Sequence, residues 1–303
     1  MIDVRLKTFI AICQEGSYTL AAQKLSLTQP AVSQHMRQLE NELSAKLFVR
    51  KGGKIEVTQE GEIVLKYAKR MSAVYDTMLR ALKDEKEGLT RISIGVTPTA
   101  ESNIMAEVLA EYSIRKPGLR ITMITDTITN LYEKLKAYEI DLAIVEGNVP
   151  AGSLKSVLLD TDSLVLAVSN ENPIAKKSVA TLADIKKENM ILRSAGSGTR
   201  NLFVSHLEAL GQSIDDFNVI LEVDNIATIK DLVRRNFGVS ILARSACMDE
   251  LKKGKMKALP VENLSMIRQI SLVYHEDFDR SDILNDLTGL YYSESASLGS
   301  KFR

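Results

Sequence analysis

Through the first third of the chain, apolar positions recur with a helical period. Leu6, Phe9, Ile10 and Cys13 fall at i, i+3, i+4 and i+7, which predicts an amphipathic helix, and Gly16 is placed to stop it. Ser17 can cap a second, short helix with apolar positions at Leu20, Ala21 and Leu25, where Ala21-Ala22 allows a close helix crossing. Ser26-Leu27-Thr28 reads as a turn, and Thr28 as the cap of a third helix with Gln29 and Pro30 in its first turn. Val32, Met36, Leu39 and Leu43 supply its apolar face, which leaves Gln29, Ser33, Gln34 and Arg37 on the exposed amino-terminal half. Two strand-like runs follow, 47–50 and 54–57, joined through Lys51-Gly52-Gly53, a hairpin signal. Thr58 then caps a long helix reaching about Glu87, with Glu60 and Glu62 favourably placed in its first turn. Val64, Met71 and Met78 repeat every seven residues along it, and Tyr67 or Ala68, Val74 or Tyr75, and Leu82 fill a second row. Such a seam suits a second copy of the helix better than packing on its own domain.

From Arg91 onward the pattern changes to short apolar runs alternating with helical stretches. The runs 92–96, 121–124 and 142–145 are separated by helical segments near 101–115 and 129–138, which predicts a parallel sheet. A second set at 164–168, 190–192, 219–221 and 239–242 alternates with helical segments near 181–187, 199–210 and 226–236. Two α/β lobes account for this better than one. A strand at 270–274 and a helix from about Ser281 complete the chain, returning to the first lobe.

Composition sharpens the division. A chain of 303 residues exceeds the usual size of one domain. Its longest apolar runs are five residues, far below the roughly 20 that span a bilayer, and its amino terminus has no uninterrupted apolar core for secretion. The expectation is a cytoplasmic protein with no membrane partner. Two cysteines are too few for a disulfide framework. Lys and Arg number 39 against 39 Asp and Glu, a neutrality that by itself argues against nucleic acid. Divided along the chain, however, residues 1–58 hold eight basic against five acidic groups, a net of +3; residues 59–88 balance, and the remainder carries −3.

A short helix, a tight turn and a helix with a polar front are the arithmetic of a helix-turn-helix, and the hairpin after it forms a wing. Phe9, Gly16-Ser17-Tyr18-Thr19, Ala21-Ala22, Leu25, Thr28-Gln29-Pro30-Ala31-Val32-Ser33, Leu39-Glu40 and Leu47-Phe48-Val49-Arg50 resemble, in order and spacing, the amino-terminal domain of LysR-type transcriptional regulators. The resemblance implies an all-α winged helix-turn-helix at 1–58, a linker and dimerisation helix at 59–88, and a two-lobed α/β effector domain of periplasmic-binding-protein type at 89–303. Lobe one spans about 89–161 and 267–303, lobe two about 162–266. It further implies double-stranded DNA and a small-molecule effector as partners, a homodimer through the linker helix, and a homotetramer of two such dimers. The exposed Thr28, Gln29, Pro30, Ser33, Gln34 and Arg37 are the candidates for the major groove, where Gln suits adenine, Arg guanine or phosphate, and Ser either. Arg50, Lys51 and Lys54 place the wing along the backbone or minor groove.

Three hydroxyl-rich loops follow strands and precede helices, where free backbone N–H groups favour an anion. They supply Thr97 and Thr99; Thr127 and Thr129; and Ser194, Gly196, Ser197, Gly198, Thr199 and Arg200. Glycines permit close approach of the backbone, hydroxyls donate, and Arg200 offers a fork for a carboxylate or oxyanion. The last loop resembles the anion loop of oxyanion-binding solute receptors. The same residues also fit a tight turn with helix caps, and Glu146 can line the cleft or cap a turn. The rival reading is a two-lobed solute-binding protein, which has no use for residues 1–60. No catalytic set, metal-ligand cluster or cofactor motif is found, because His35, His206 and His275 are scattered. The expectation is a regulator and not an enzyme.

Overall fold

The computed structural model describes residues 3–102 and 104–300, with side chains to 296. They divide into two compact units, 1–90 with 136–139, and 91–135 with 140–303.

The amino-terminal unit contains α1 (Val4–Glu15), α2 (Tyr18–Lys24), α3 (Gln29–Leu43), β1 (Phe48–Lys51), β2 (Lys54–Val57) and α4 (Gln59–Glu87). Its boundaries follow local chemistry. Asp3, Ser17, Thr28 and Thr58 each accept a first-turn amide with the side chain, which satisfies donors that the helix itself leaves unpaired. Gly16 ends α1 in the left-handed conformation, at φ 64°. Phe9, Ile12, Ala21, Ala22, Val32, Met36, Leu39 and Leu47 form one core. Leu20 and Leu43, expected among the buried positions, are instead 48% and 43% exposed. Leu20 lies on a seven-residue helix whose inner face is already filled by Ala21 and Ala22, and Leu43 is the last residue of a helix buried through Val32, Met36 and Leu39. The hairpin pairs Phe48 with Val57 and Lys51 with Lys54, and Gly52 and Gly53 both take positive φ, as a type I′ turn demands. Gly61 marks where α4 begins against the hairpin. A Cβ there would collide with the Leu47 carbonyl oxygen and lie 2.6 Å from Val57 Cγ1.

The second unit contains β3 (Thr90–Val96), α5 (Pro98–Glu101), α6 (Met105–Arg115), β4 (Leu119–Thr125), α7 (Ile128–Lys136), β5 (Leu142–Glu146), β6 (Leu154–Val168), α8 (Leu182–Ile185), β7 (Asn189–Leu192), α9 (Gly198–Ala209), β8 (Asn218–Glu222), α10 (Ile226–Arg234), β9 (Ser240–Ala243), α11 (Met248–Lys252), β10 (Lys257–Leu259), β11 (Ile267–His275) and α12 (Ser281–Ser300). The main sheet has the order β10-β6-β11-β5-β3-β4, with β9 also on β6. β3 and β5 are parallel, and β7 and β8 form a second parallel pair.

The parallel pairing expected of 92–96 and 142–145 is present, but the sheet as a whole is mixed, because β11 runs antiparallel to both β5 and β6. β6 is also far longer than the apolar run at 164–168. Its first part pairs with β11 from Leu154 to Ser163, and its second part pairs with β9 and β10. One strand therefore runs through two hydrophobic cores. The first core joins Ile94, Val108, Leu142, Ile144 and Leu272 to Ile283 and Tyr291 of the last helix, so α12 does return to the first lobe. The second joins Leu166, Ile185, Met190, Phe203, Leu207 and Ile241. The stretch 154–163 escaped the periodicity because its exposure does not alternate cleanly: Leu158 is 47% exposed whereas Asp162 is buried. The helix expected near 101–115 is two pieces, because Pro98 follows a Thr97 cap and starts a short helix before α6.

Candidate functional site

Two separate surfaces carry the candidate residues. On the amino-terminal unit, Thr28, Gln29, Pro30, Gln34 and Arg37 are exposed on the first turns of α3, and Ser33 is half-buried beneath them. Gln29 Nε2 donates to Ser33 Oγ at 2.9 Å, which holds the amide along the helix face. A groove of about 520 Å³ brings Gln29, Ser33 and Arg37 together with Arg50 of the hairpin. Thr28, Pro30, Gln34, Lys51 and Lys54 do not line it; Lys51 and Lys54 stand exposed at the hairpin tip, Lys51 within 4.0 Å of Glu56. Tyr18 and Thr19, at the start of α2, also line the groove and were missed as candidates. Their signal was faint, since a hydroxyl in a helix's first turn reads as capping chemistry. His35 faces inward, its Nδ1 3.0 Å from Thr8 Oγ1.

Along α4 the later seam residues are open, whereas Val64 packs against the core of its own unit and Tyr75 is half-buried. Tyr67, Met71, Val74, Met78 and Leu82 are about half exposed, at 55%, 47%, 50%, 46% and 59%, joined by Ile63 at 60%. Ala68 is buried within its own unit.

In the second unit, a cavity of about 190 Å³ opens between the two lobes at the ends of β3, β5 and β7. Of the expected residues, Thr97, Thr99, Thr127, Ser194, Gly196, Ser197, Gly198 and Thr199 line it. Thr129 and Arg200 do not. Thr129 lies exposed on α7. Arg200 turns away to pair with Glu222 at 2.7 Å and to donate to the Arg193 carbonyl at 3.2 Å. No side chain caps α9, so the cavity edge at Ser197, Gly198 and Thr199 carries the positive end of a twelve-residue helix. A Cβ on Gly198 would lie 3.2 Å from Ile128 Cδ1 of the other lobe, whereas one on Gly196 would meet nothing. Of these two glycines, only Gly198 is closely approached, by the end of the Ile128 side chain.

The strongest charges in this cavity belong to residues that sequence reasoning passed over. Arg193 and Arg268 are 4% and 8% exposed. Arg268 donates to Thr199 Oγ1 at 3.3 Å, but its Nε and Nη2, together with Arg193 Nε, are buried with no hydrogen-bond partner. Asp224 approaches Arg193 Nε only to 3.8 Å, too far for a hydrogen bond. Burial pushes Arg193 below the usual guanidinium value, and the carboxylates of Asp224 and Glu146 oppose it. Glu146, 5% exposed, receives the Thr97 hydroxyl, 2.7 and 2.8 Å from its two oxygens. Burial drives the Glu146 carboxyl up from its ordinary range, while Arg268 and Thr97 pull it down. The signal in the sequence was an arginine one residue beyond a strand and another one residue inside a strand, positions where a charge is ordinarily assigned to solvent.

Unmade donors of this kind cost roughly 1–3 kcal/mol each unless a ligand or water takes them. Among the described residues, no group of three metal-ligating side chains occurs. No helix in them is long and apolar enough to cross a membrane.

Comparison with known proteins gives these sites a family. Residues 4–62 match the profile of the bacterial regulatory helix-turn-helix proteins of the lysR family, and residues 85–290 match the LysR substrate binding domain. An uncharacterised HTH-type transcriptional regulator of Methanocaldococcus jannaschii is 32% identical over 88% of this chain and 90% of its own length. A probable RuBisCO transcriptional regulator of Thalassiosira pseudonana is 29% identical over 91% and 92%. The crystal structure of full-length CbnR complexed with its target DNA has the same fold, with a TM-score of 0.68 at 18% identity over 96% of this chain and 98% of that one. The chain belongs to the LysR family of transcriptional regulators. Its fold is a winged helix-turn-helix joined to a two-lobed substrate-binding domain, and its relatives are regulators and not enzymes.

Proposed function

We propose that this regulator binds operator DNA as a dimer and that a small anion, a carboxylate or an oxyanion, occupies the inter-lobe cavity and modulates that binding. The observation that carries the reading is the trio of buried, partnerless guanidinium N–H groups on Arg193 and Arg268, beside the uncapped start of α9. A negatively charged oxygen is the natural complement to such donors. Thr97, Thr99, Thr127, Ser194, Gly196, Ser197, Gly198 and Thr199 serve as the polar wall. Thr129 and Arg200, which lie outside the cavity, have no part in it.

On the DNA side, Gln29, Ser33 and Arg37 read base edges, with Thr28, Pro30 and Gln34 beside them, while Arg50, Lys51 and Lys54 hold the backbone. The reading divides the chain into a reader at 1–58, a linker at 59–88 and a sensor at 89–303, with lobes at about 89–161 plus 267–303 and 162–266. The exposed seam of α4 pairs two protomers, and two dimers form a tetramer that works in the cytoplasm. Pairing matters because a reader of net +3 has a limited electrostatic grip, and two linked readers gain from high effective concentration. The coupling is linkage: an anion that favours one lobe arrangement shifts the population that presents two readers at operator spacing. A solute-binding protein without a DNA-binding role is not favoured, given the helix-turn-helix match. The test is footprinting of DNA flanking the protein's own gene, with and without sulfate, phosphate and small carboxylates. Protection of two half-sites that changes with one of these anions is expected. No protection, or protection that no anion alters, would refute the reading.

A further inference from the structure

We infer that the effector is a small α-amino acid, bound through its carboxylate to Arg193 and Arg268 and through its ammonium group to Glu146. The inference rests on the cavity being the effector site, and narrows the ligand to a carboxylate that also carries an ammonium group.

Three observations carry it. First, the cavity is not simply basic. Glu146 lines it too, on the strand next to that of Arg268, and is as deeply buried as the two arginines. Its protein partners are few: the Thr97 hydroxyl has a single proton to give the carboxylate, and that hydroxyl oxygen also accepts the Ala100 amide at 3.1 Å. A carboxylate has room for about four hydrogen bonds, so Glu146 retains acceptor capacity in a cavity that both arginines also line. Donors and acceptors in one small cavity fit a ligand that carries both.

Second, the charges balance. Arg193 and Arg268 stand against Glu146 and the more exposed Asp224, while Asp126, a third carboxylate on the cavity wall, is matched by Lys134 at 2.6 Å. A simple anion leaves that set one charge short and must contend with the Glu146 carboxylate. A zwitterion leaves the balance unchanged, and each of its charges meets an opposite one. Buried charge is tolerated when paired and hydrogen-bonded.

Third, the space is limited. About 190 Å³ lies below the usual range of roughly 300–1,000 Å³ for drug-sized ligands. A compact molecule must therefore present both charged groups within a few bonds, as an α-amino acid does. Thr99, Thr127 and Ser197 remain to meet its side chain.

The test uses the full chain and thermal shift. The probes are the α-amino acids, each compared with the carboxylate obtained by replacing its amino group with hydrogen (alanine with propionate), plus sulfate. The Glu146→Gln variant is measured alongside; its amide oxygen still accepts the Thr97 hydroxyl. At least one amino acid should raise the melting temperature and bind about ten-fold or more tightly than its deamino partner, the worth of one charge-assisted hydrogen bond. Glu146→Gln should lose that preference and bind the deamino carboxylate at least as well as the wild type does. Deamino carboxylates or sulfate that stabilise the wild type as strongly as any amino acid would overturn the zwitterion while leaving the anion site intact. No shift from any carboxylate or oxyanion would overturn both.

Discussion

Arg268 gives the sharpest test of the anion site, because its role can be separated from the stability of the fold. Replacing it by Met keeps the unbranched stem and removes the guanidinium. In the unliganded protein that group makes one long hydrogen bond, 3.3 Å to Thr199 Oγ1, and leaves Nε and Nη2 unmet. One neutral-acceptor bond is worth about 0.5–1.5 kcal/mol, and each unmet buried donor costs about 1–3 kcal/mol. Two unmet donors outweigh one weak bond, and the buried Glu146 carboxyl, already driven up by burial, takes a proton once the opposing pull of Arg268 is gone, so Arg268→Met should leave the melting temperature of the second unit close to unchanged. Anion binding should move the other way. Truncating one partner of a buried, hydrogen-bonded charge pair costs about 2–5 kcal/mol, or roughly 30-fold to several-thousand-fold in Kd. The assay is calorimetry of the full chain, following the transition of the second unit with the most stabilising member of a panel of sulfate, phosphate and small carboxylates. At a concentration near 100 Kd the wild type gains about 2.7 kcal/mol, which for a unit of this size is a rise of roughly 5–10 °C. The variant should show almost none of it. If Arg268→Met lowers the unliganded melting temperature by more than about 6 °C and keeps the anion response, Arg268 is a structural counter-charge for Glu146, and the binding argument fails.

Other consequences can be checked independently. Gln29→Ala should weaken operator binding and relax preference at one base position, whereas Lys54→Ala should weaken all duplexes similarly and flatten the salt dependence; unchanged affinity in both variants would count against the DNA assignment. Met71→Glu places a charge in the open seam of α4 and should convert the dimer to monomer in sedimentation at micromolar concentration, with the first unit still folded. Gly61→Ala should destabilise that unit by about 1–3 kcal/mol, since the obstructing atom is the Leu47 backbone oxygen and the clash exceeds the helix-propensity gain of about 1 kcal/mol; a rise in melting temperature would show that α4 can shift freely. Lys177 and the Thr181 cap hold the Asp184 carboxyl down to about 2. Because the folded value is depressed, this contribution is present above about pH 4 and lost as pH falls toward 2, so Asp184→Asn should melt lower at pH 7 and the difference should close across that window.

The Cys13 and Cys247 thiols give no such handle. Burial pushes them up to about 11 and about 12, which keeps both protonated and unreactive near neutrality.

Much of the architecture was legible in the chain because it rests on local physics. Gly16, Ser17, Thr28, Gly52-Gly53 and Thr58 each end or begin an element through their own backbone preferences or side-chain caps. Those signals survive whatever the tertiary context. The seven-residue repeat of Val64, Met71 and Met78 likewise lies on one helix, where α4 exposes Met71 and Met78 while Val64 packs against its own unit. The hydroxyl loops were found for the same reason: strand, loop and helix start are contiguous in sequence.

What the sequence could not decide is set by residues far apart in it. The stretch 154–163 is a strand only because β11, a hundred residues later, supplies its hydrogen-bond partner. Arg268 enters the cavity on that same strand and meets Thr199, 69 positions away, while Arg200, beside Thr199, is drawn off by Glu222. Two arginines were exchanged in this way between solvent and site. Composition assigns a charged side chain to water because burial is costly; only the assembled fold shows where that cost has been accepted, and unpaired donors in a closed space are its trace. The sequence by itself therefore determined the helix-turn-helix, the long helix with its seven-residue pattern and the two-lobed plan. Tertiary structure alone decided which charges face the cavity, since that depends on packing across the sheet and not on any period along the chain.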